Sequence, residues 1–559
     1  MPVLLHLLWT HPDEPVFGGD SNRHVVTSIF FRDFIIDGQY SDPKGYAERY
    51  YEQYPALGLL VWPPLFHGVA GVLMLAFGTS AAVARGLVLA SLIVSCLCVH
   101  RITRRTQISQ YATLVTVVFA ISPLIFEYSR DVMLEMPTLA LVLLSVDWFD
   151  CWLRRQQSKF LYGAAVTAAL AALTRFDAAV LLPFYLTLLI IRGGWKQILA
   201  RHLFFAAGLA ILLTAPTYLL ILKETGNLHV RQAVESVGGS EDGTANAFLA
   251  LKNLTYYPFS IPEQVGWLAA LLAAFGIIGS FRSRESRQSD SVFASLMIAT
   301  YVTFTPLAEL RSRHAIYWVP SIAFFAVTGT QQLLLWWADR RQHRSETKQS
   351  EAASVSTIPF MATSLLMLSG VLGIWSQPTY RVQGYRTAAE YVISNTDDND
   401  SVFFDGWWDG NFTYQMRHLD ASRSRKVIRG DRLLYDFVCV PSTDFQKFVQ
   451  NEHDIVAVLT KANPRFILFE DPQFFETVAV AQQLRDVVKA HPDIFEPVCQ
   501  VPVSSSIAHL PKFQIQIFRF HPEQAVTWMN RTESQHASQQ HEAHQADSEM
   551  ANPVGTVTR

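Results

Sequence analysis

The chain has 559 residues, half of them hydrophobic and only 17% charged, with a mean hydropathy of +0.17 and a formal net charge of -3. Soluble domains carry about 25% charged residues, so this composition excludes an ordinary soluble protein throughout, and the near-neutral balance excludes a nucleic-acid partner recognised by bulk charge. Five cysteines in such a length exclude a disulfide scaffold. Cys96, Cys98 and Cys151 stand in apolar stretches and read as small hydrophobes. Cys439 and Cys499 stand in the polar C-terminal part and can pair if that part lies outside the cytosol.

Met1 to Trp9 is apolar but far below the roughly 20 residues of a spanning helix. It reads as the stump of an earlier helix, or as the sign of a first helix missing from the sequence. Residues 59–78 are apolar and open on Pro63 and Pro64, which suits a helix start. Spanning candidates then follow near 81–100, 108–127, 135–153, 160–174, 176–192, 203–222, 263–281, 290–309, 314–338 and 357–376. The pair 160–174 and 176–192 is short and is split at Thr174-Arg175-Phe176-Asp177.

Basic clusters follow every second span, at Arg101/Arg104/Arg105, Arg154/Arg155, Arg192/Lys196/Arg201, Arg282/Arg284/Arg287 and Arg340/Arg341/Arg344. The positive-inside rule puts all five in the cytosol. The alternation holds only if residues 59–78 lie along the outer surface of the membrane instead of crossing it. Residues 1–80 then form an outer segment, 81–376 a transmembrane domain of about ten helices, and everything after 377 lies outside. Residues 380–525 read as a small α/β domain. Tyr385 to Ser394 has a helical pattern, and Val402–Asp405, Lys426–Ile428, Arg465–Phe469 and Phe513–Phe518 are strand-like. Residues 526–559 form a tail that is Gln- and His-rich from about Gln535 and reads as disordered. Its His536, His541 and His544 are weak metal candidates. The fold class is therefore an all-α polytopic membrane domain followed by a small α/β extracytoplasmic domain.

Ionisable residues near helix ends of a membrane protein are site candidates. The outer side collects Asp13, Glu14, Asp20, Arg23 and His24, then Glu127, Arg130, Asp131 and Glu135, then Arg175 and Asp177, then Glu309, Arg311, Arg313 and His314. Acids and arginines from four separate segments share one side, which a simple anchor does not need. Asp405-Gly406-Trp407-Trp408-Asp409-Gly410 reads as a strand-to-loop edge, where rings beside acids suit sugar contact and turn chemistry explains the rest. Asn253, Asn411 and Asn530 stand in glycosylation sequons.

The order of these motifs resembles the GT-C fold glycosyltransferases, in particular the protein O-mannosyltransferase and aminoarabinose-transferase branch. The resemblance rests on an acidic first segment, Trp62-Pro63-Pro64-Leu65-Phe66, the Arg-led span at Ala84-Arg85-Gly86, the motif Ser129-Arg130-Asp131-Val132-Met133-Leu134-Glu135-Met136-Pro137, and the basic turn Arg311-Ser312-Arg313-His314 ahead of Trp318-Val319-Pro320. It covers about residues 13–338. It implies an inverting glycosyltransferase that moves a sugar from a polyprenyl-phosphate carrier to an acceptor hydroxyl on a lipid, glycan or protein. The implied place is the cell (inner) membrane, with the catalytic face non-cytoplasmic. Asp20 takes the place of the family's base, with Asp13 and Glu14 as alternatives, because the adjacent Asp-Glu pair usual in the family is here Asp20-Ser21. Glu135 takes the place of the second acid, which in some members helps hold a metal. Arg311 and Arg313 fit the carrier phosphate, with Arg175 as a further ligand, and Trp62, Pro63, Pro64 and Asp131 shape the site. The cofactor is unknown, a divalent metal being the candidate. The competing readings are a membrane-anchored carbohydrate-binding or scaffold protein and a lipid-linked sugar transporter. The transporter predicts mid-span ionisable groups and two similar halves, neither of which the sequence shows.

Overall fold

A computed structural model of the chain describes residues 19–192, 194, 197, 200–225, 251–280, 284–307, 310–344, 357–376, 382–436, 446–472, 479–506 and 512–550. It divides into two compact units, Met1–Gly38 with Leu57–Tyr380, and Gln39–Ala56 with Arg381–Arg559.

The first unit is helical, and helix stands at each of the ten candidate spans. Among the described residues three helices are long and apolar enough to cross a bilayer: Ala81–Thr103, Glu135–Arg155 and Arg201–Thr225. The number rises to 4 if the bent pair Ser109–Ala120 and Pro123–Arg130 counts as one span. That pair turns through 61° where Pro123 opens the second helix. Proline has no N–H to continue the ladder, so the straight span expected at 108–127 is a broken one that runs on to Arg130. The span expected at 263–281 is also divided. Leu251–Val265 and Trp267–Ser280 meet at Gly266, whose φ of 88° glycine adopts without a Cβ clash. Leu65–Phe77 has 13 residues, about 20 Å of helix, too short for a hydrocarbon core of about 30 Å.

Trp267–Ser280 and Val319–Arg344 pack backbone to backbone. A Cβ at Gly276 would stand 2.0 Å from the Phe325 carbonyl oxygen, and one at Gly329 would stand 1.9 Å from that of Leu272. Small residues serve helix contacts in membranes in this way, because the lipid offers no hydrophobic drive to association. The Glu135–Arg155 helix carries buried carboxylates at both ends. Glu135 is 1% exposed, and Asp147 and Asp150 are 1% and 0% exposed. Arg101, Arg105, Arg154 and Arg192 gather on the latter pair.

The second unit is built on a six-stranded sheet of order β1-β7-β8-β6-β2-β3. The strands are β1 (Val382–Gln383), β2 (Ser401–Asp405), β3 (Lys426–Arg429), β6 (Phe466–Asp471), β7 (Phe495–Ser505) and β8 (Phe513–Phe520), with β4 (Tyr435–Asp436) and β5 (Gln446–Lys447) forming a separate pair. β3, β2 and β6 run parallel, while β8, β7 and β1 continue antiparallel. β2 and β6 are buried on both faces along nearly their whole length, as parallel strands covered by helices are. The four strands read from the sequence are β2, β3, β6 and β8, and the helix read at Tyr385 to Ser394 is present. β7 was not anticipated, because Pro497 and Pro502 interrupt its pattern and proline disfavours strands; its register slips between Pro497 and Cys499. Cys499 has no disulfide partner among the described residues, and Cys439 lies outside them.

Residues 39–56 belong to this unit, not to a single segment running from 1 to 80. Gln53 Nε2 donates to the carbonyls of Arg423 and Arg425 at 2.7 and 3.1 Å, and Arg429 Nη1 donates to that of Pro55 at 2.7 Å. The tail also departs from expectation. A helix spans Pro522–Met550, seated by Ala525, Trp528 and Met529 against the sheet's apolar core.

Arg485 is the largest fully buried side chain of the unit. Its Nη1 pairs with Asp405 at 2.9 Å, and it also donates to the carbonyls of Glu470 and Ala481. Removing one member of a buried pair strands the other charge and costs about 3–5 kcal/mol. Asp405→Ala is therefore expected to lower the denaturant midpoint of this unit strongly, whereas Asp405→Leu combined with Arg485→Met stays much nearer the unaltered protein. Equal losses in the two variants would contradict the stranded-charge account.

Candidate active site

Five charged side chains from four segments of the first unit form one run of ion pairs. Asp20 lies in the first turn of the Gly19–Asp37 helix and Glu135 in the first turn of its own helix, where the dipole favours carboxylates. Arg175 caps the short turn Phe176–Val180 that carries Asp177, and Arg313 lies in the turn Ser312–Trp318. Arg175 Nε reaches Asp177 at 2.6 Å and its Nη1 reaches Glu135 Oε1 at 2.8 Å. Arg313 Nη1 lies 3.8 Å from the same Glu135 oxygen and 3.5 Å from Asp20 Oδ2. The order is thus Asp20–Arg313–Glu135–Arg175–Asp177. The Asp20 side chain is 40% exposed and Arg313 17%, against 1% for Glu135, so Asp20 is the open end.

Three buried polar atoms in this cluster have no hydrogen-bond partner among the described residues: Glu135 Oε2, Arg313 Nε and the Tyr317 hydroxyl. Tyr317 is fully buried and lies in the fields of Asp177, Arg175 and Glu135. Orphaned polar atoms in a low-dielectric interior are costly, and a polar ligand or water meeting these three would remove that cost. Sequence reading did not single out Tyr317. Its signal was its place four residues after Arg313, one helical turn along the motif that leads to Pro320.

Asp131 enters beside this run. Ser21 Oγ donates to its Oδ1 at 2.6 Å and the Val132 amide donates at 2.7 Å, which ties the residue after Asp20 to the second acidic motif. The buried Arg85 contributes its charge to Asp131. Trp62 packs against His24, one turn beyond Asp20, with the rings tilted by 60° and their centroids 4.4 Å apart. Its indole also covers Gly58, where a Cβ would meet the ring at 2.4 Å. Pro63 is buried, and Pro64 caps the Leu65–Phe77 helix. The Leu65 amide donates to the Leu173 carbonyl at 3.0 Å, so the proline turn braces the chain two residues before Arg175. Beside it lies an apolar cavity of about 490 Å³ lined by Phe31, Pro64, Leu65, Val69, Leu173 and Thr217 among others.

The structure thus brings together Asp20, Glu135, Arg175, Arg313 and, through Ser21, Asp131. Arg311 is exposed, two residues from Arg313. Asp13, Glu14 and Glu309 lie outside the described residues. Glu135 is a poor metal ligand here, since one oxygen is committed to Arg175 and two guanidinium groups flank it. No group of three or more His, Cys, Asp or Glu among the described residues could hold a metal ion. The side chains of His536, His541 and His544 are not described.

The stretch Asp405–Gly410 in the second unit is a braced turn. Asp405 is committed to Arg485, and Asp409 pairs with Arg429 at 2.9 Å. Glu470 accepts from the Tyr385 hydroxyl at 2.6 Å and from the amides of Trp407 and Trp408 at 2.9 and 3.2 Å. Burial pushes its carboxyl up to about 7 against the pull of these three donors and of Arg485. The acids expected to meet a sugar are used in holding the turn. Asn253 and Asn411 are buried, so two of the three sequon asparagines are not open to modification.

These features define a polytopic membrane protein with an acid–arginine site at the ends of its helices. Residues 62–220 match the family described as dolichyl-phosphate-mannose-protein mannosyltransferase. A search of curated protein sequences finds no match. Among solved structures, the chain is similar to ArnT from Cupriavidus metallidurans bound to undecaprenyl phosphate, at 12% identity and a TM-score of 0.57, over 91% of this chain and 98% of that one. The same protein in the apo state gives a TM-score of 0.58 at 12% identity, over 92% and 96% of the two chains. The oligosaccharyltransferase AglB from Archaeoglobus fulgidus, in complex with an inhibitory peptide and a dolichol-phosphate, gives 0.53 at 13% identity, over 91% of this chain and 74% of that one. The GT-C resemblance read from the sequence is borne out: the chain has the fold that these glycosyltransferases share.

Proposed function

We propose that the protein is an inverting glycosyltransferase that takes a sugar from a polyprenyl-phosphate carrier and places it on an acceptor hydroxyl at the non-cytoplasmic face of the membrane. The observation that carries this reading is the run Asp20–Arg313–Glu135–Arg175–Asp177, with its exposed acid at one end and its orphaned polar atoms inside. Asp20 accepts the proton of the acceptor hydroxyl as that oxygen bonds to the anomeric carbon. The bond from that carbon to the carrier oxygen breaks, and its electron pair leaves with the phosphate, which needs no acid. Arg313 meets the charge that builds on the phosphate, with the exposed Arg311 beside it, because a guanidinium fork matches phosphate oxygens. Glu135 and Asp177 hold Arg175, which in turn holds Glu135 beneath Arg313. Trp62, Pro63, Pro64 and Asp131 shape the wall, and the neighbouring apolar cavity suits the first isoprenoid units of the carrier. The ligands bound in two structures of similar fold, undecaprenyl phosphate and dolichol-phosphate, support a lipid-phosphate donor. The gathering of three basic clusters at the far end of the Glu135–Arg155 helix supports an outer site under the positive-inside rule.

The reading is tested by release of free carrier phosphate from a polyprenyl-phosphate sugar incubated with the purified protein. Tyr317→Phe is a finer test. Removing a hydroxyl that serves only packing changes little, whereas one that meets the donor supplies a hydrogen bond of about 1.5–3 kcal/mol when its partner is charged. Tyr317→Phe is expected to slow transfer about 10- to 100-fold at unchanged folded yield. Unaltered kinetics would assign Tyr317 to packing alone.

A further inference from the structure

At the opposite end of the Glu135–Arg155 helix lies a second charged cluster that the transfer reaction does not use. Asp147 and Asp150 stand there, twelve and fifteen residues beyond Glu135, or roughly 18 and 22 Å along the axis. Both are fully engaged. Arg105 bridges them, with Nη2 at 2.5 Å from Asp147 Oδ1 and Nε at 2.6 Å from Asp150 Oδ2. Arg101 takes Asp147 Oδ2 at 3.1 Å. Arg154 and Arg192 share Asp150 Oδ1 at 3.0 and 2.8 Å. Among the described residues four guanidinium groups thus face two carboxylates, an excess of two positive charges.

Among these four arginines, Arg192 is the one with an orphaned buried donor. Its Nε donates to Ser291 at 2.9 Å, and its Nη2 is buried with no hydrogen-bond partner among the described residues. Arg105 and Arg154 both repel it. A lone basic residue at a membrane boundary extends its head into water. Arg192 instead has a side chain only 15% exposed, turned onto a buried acid. Arg192 caps the C-terminus of the Leu181–Ile191 helix, whose Leu186, Ile190 and Ile191 are 50%, 59% and 36% exposed. A phosphate oxygen at this point would satisfy the orphaned N–H and cancel the repulsion, and apolar chains attached to that phosphate would lie along the exposed aliphatic side chains.

We propose that this cluster binds the phosphate headgroup of an anionic phospholipid. Basic pockets between transmembrane helices take such headgroups, and the adjoining apolar face favours a lipid over a free phosphate ion. The proposal does not depend on the transfer reaction, since the site stands at the other end of the unit.

The test is native mass spectrometry of the full-length protein exchanged into mixed micelles of phosphatidylglycerol and phosphatidylcholine. The intact protein is expected to retain phosphatidylglycerol at least about 10-fold over phosphatidylcholine. Arg192→Gln is expected to lower that retention about 10- to 100-fold, the size of a charge-assisted hydrogen bond. Arg101→Gln, at a side chain 60% exposed and so tolerant of change, is expected to lower it several-fold. This second variant decides the matter if Arg192→Gln fails to fold. Equal retention of the two lipids, or retention unaltered in Arg101→Gln and in a folded Arg192→Gln, would overturn the proposal. So would displacement of the lipid by millimolar inorganic phosphate, which would assign the site to the free ion.

Discussion

Asp20→Asn is expected to lower sugar transfer by at least about 10²-fold while carrier-lipid binding changes little. The acceptor hydroxyl needs a base in the transition state, and the phosphate leaving group needs no acid. Asparagine keeps the shape and removes the proton affinity. Asp20 is the most exposed of the five ion-paired groups, so its replacement leaves no buried charge stranded. Its partner Arg313, at 3.5 Å, stays paired with Glu135 at 3.8 Å. The loss should therefore fall on kcat, with the donor KM nearly unchanged. Wild-type turnover in this variant would move the base to Asp13 or Glu14, and Asp13→Asn and Glu14→Gln would then decide between those two.

Arg313→Ala and Arg175→Ala are expected to fail in different ways, although both arginines contact Glu135. Arg313 stands between Asp20 and Glu135 with Nε buried and unpartnered, so a free donor N–H points into the site. Its removal takes away a charge-assisted contact of about 1.5–3 kcal/mol, and the donor KM should rise about 10- to 100-fold, more than the acceptor KM. Arg175 has its fork filled by Asp177 and Glu135. Its removal leaves Glu135, 1% exposed, with only the long 3.8 Å contact to Arg313, a loss that approaches the roughly 3–5 kcal/mol of a broken buried pair. The expected result is lost folded protein, not raised donor KM. Equal effects of Arg313→Ala on both substrates would reduce Arg313 to an interfacial anchor. A well-folded Arg175→Ala with a weakened donor would make Arg175 the phosphate ligand.

Much of this architecture was legible because its signals are local. Long apolar runs and alternating basic clusters marked the helices, and Val402–Asp405 or Phe513–Phe518 alternate or run apolar as strands do. The candidate residues were legible as a set because each sits at or in the first turn of a helical segment: Asp20, Glu135, Arg175 and Arg313. What was not legible depends on pairing across the sequence. Nothing near Gln53 announces hydrogen bonds to Arg423 and Arg425, some 370 positions away, so residues 39–56 looked continuous with the Asp20 segment. β7 was hidden by Pro497 and Pro502, whose missing N–H groups a short partner such as β1 does not require along its full length. Asp405 and Asp409 looked open beside two tryptophans, and only the distant Arg485 and Arg429 reveal that both acids are already engaged. The orphaned hydroxyl of Tyr317 was invisible for a related reason: burial without a partner is a property of the packed site, not of its motif.

The central claim is that a lipid-phosphate sugar is the donor. Its most direct measurement is incubation of the purified full-length protein with a panel of radiolabelled polyprenyl-phosphate sugars, counting free polyprenyl phosphate against intact donor with and without acceptor-containing membrane extract. The account predicts carrier release from at least one donor, with the labelled sugar joined to an acceptor through an anomeric carbon of inverted configuration, and release lowered at least about 10²-fold in Asp20→Asn. No release from any lipid-phosphate sugar, with transfer instead from a nucleotide-linked sugar, would contradict it.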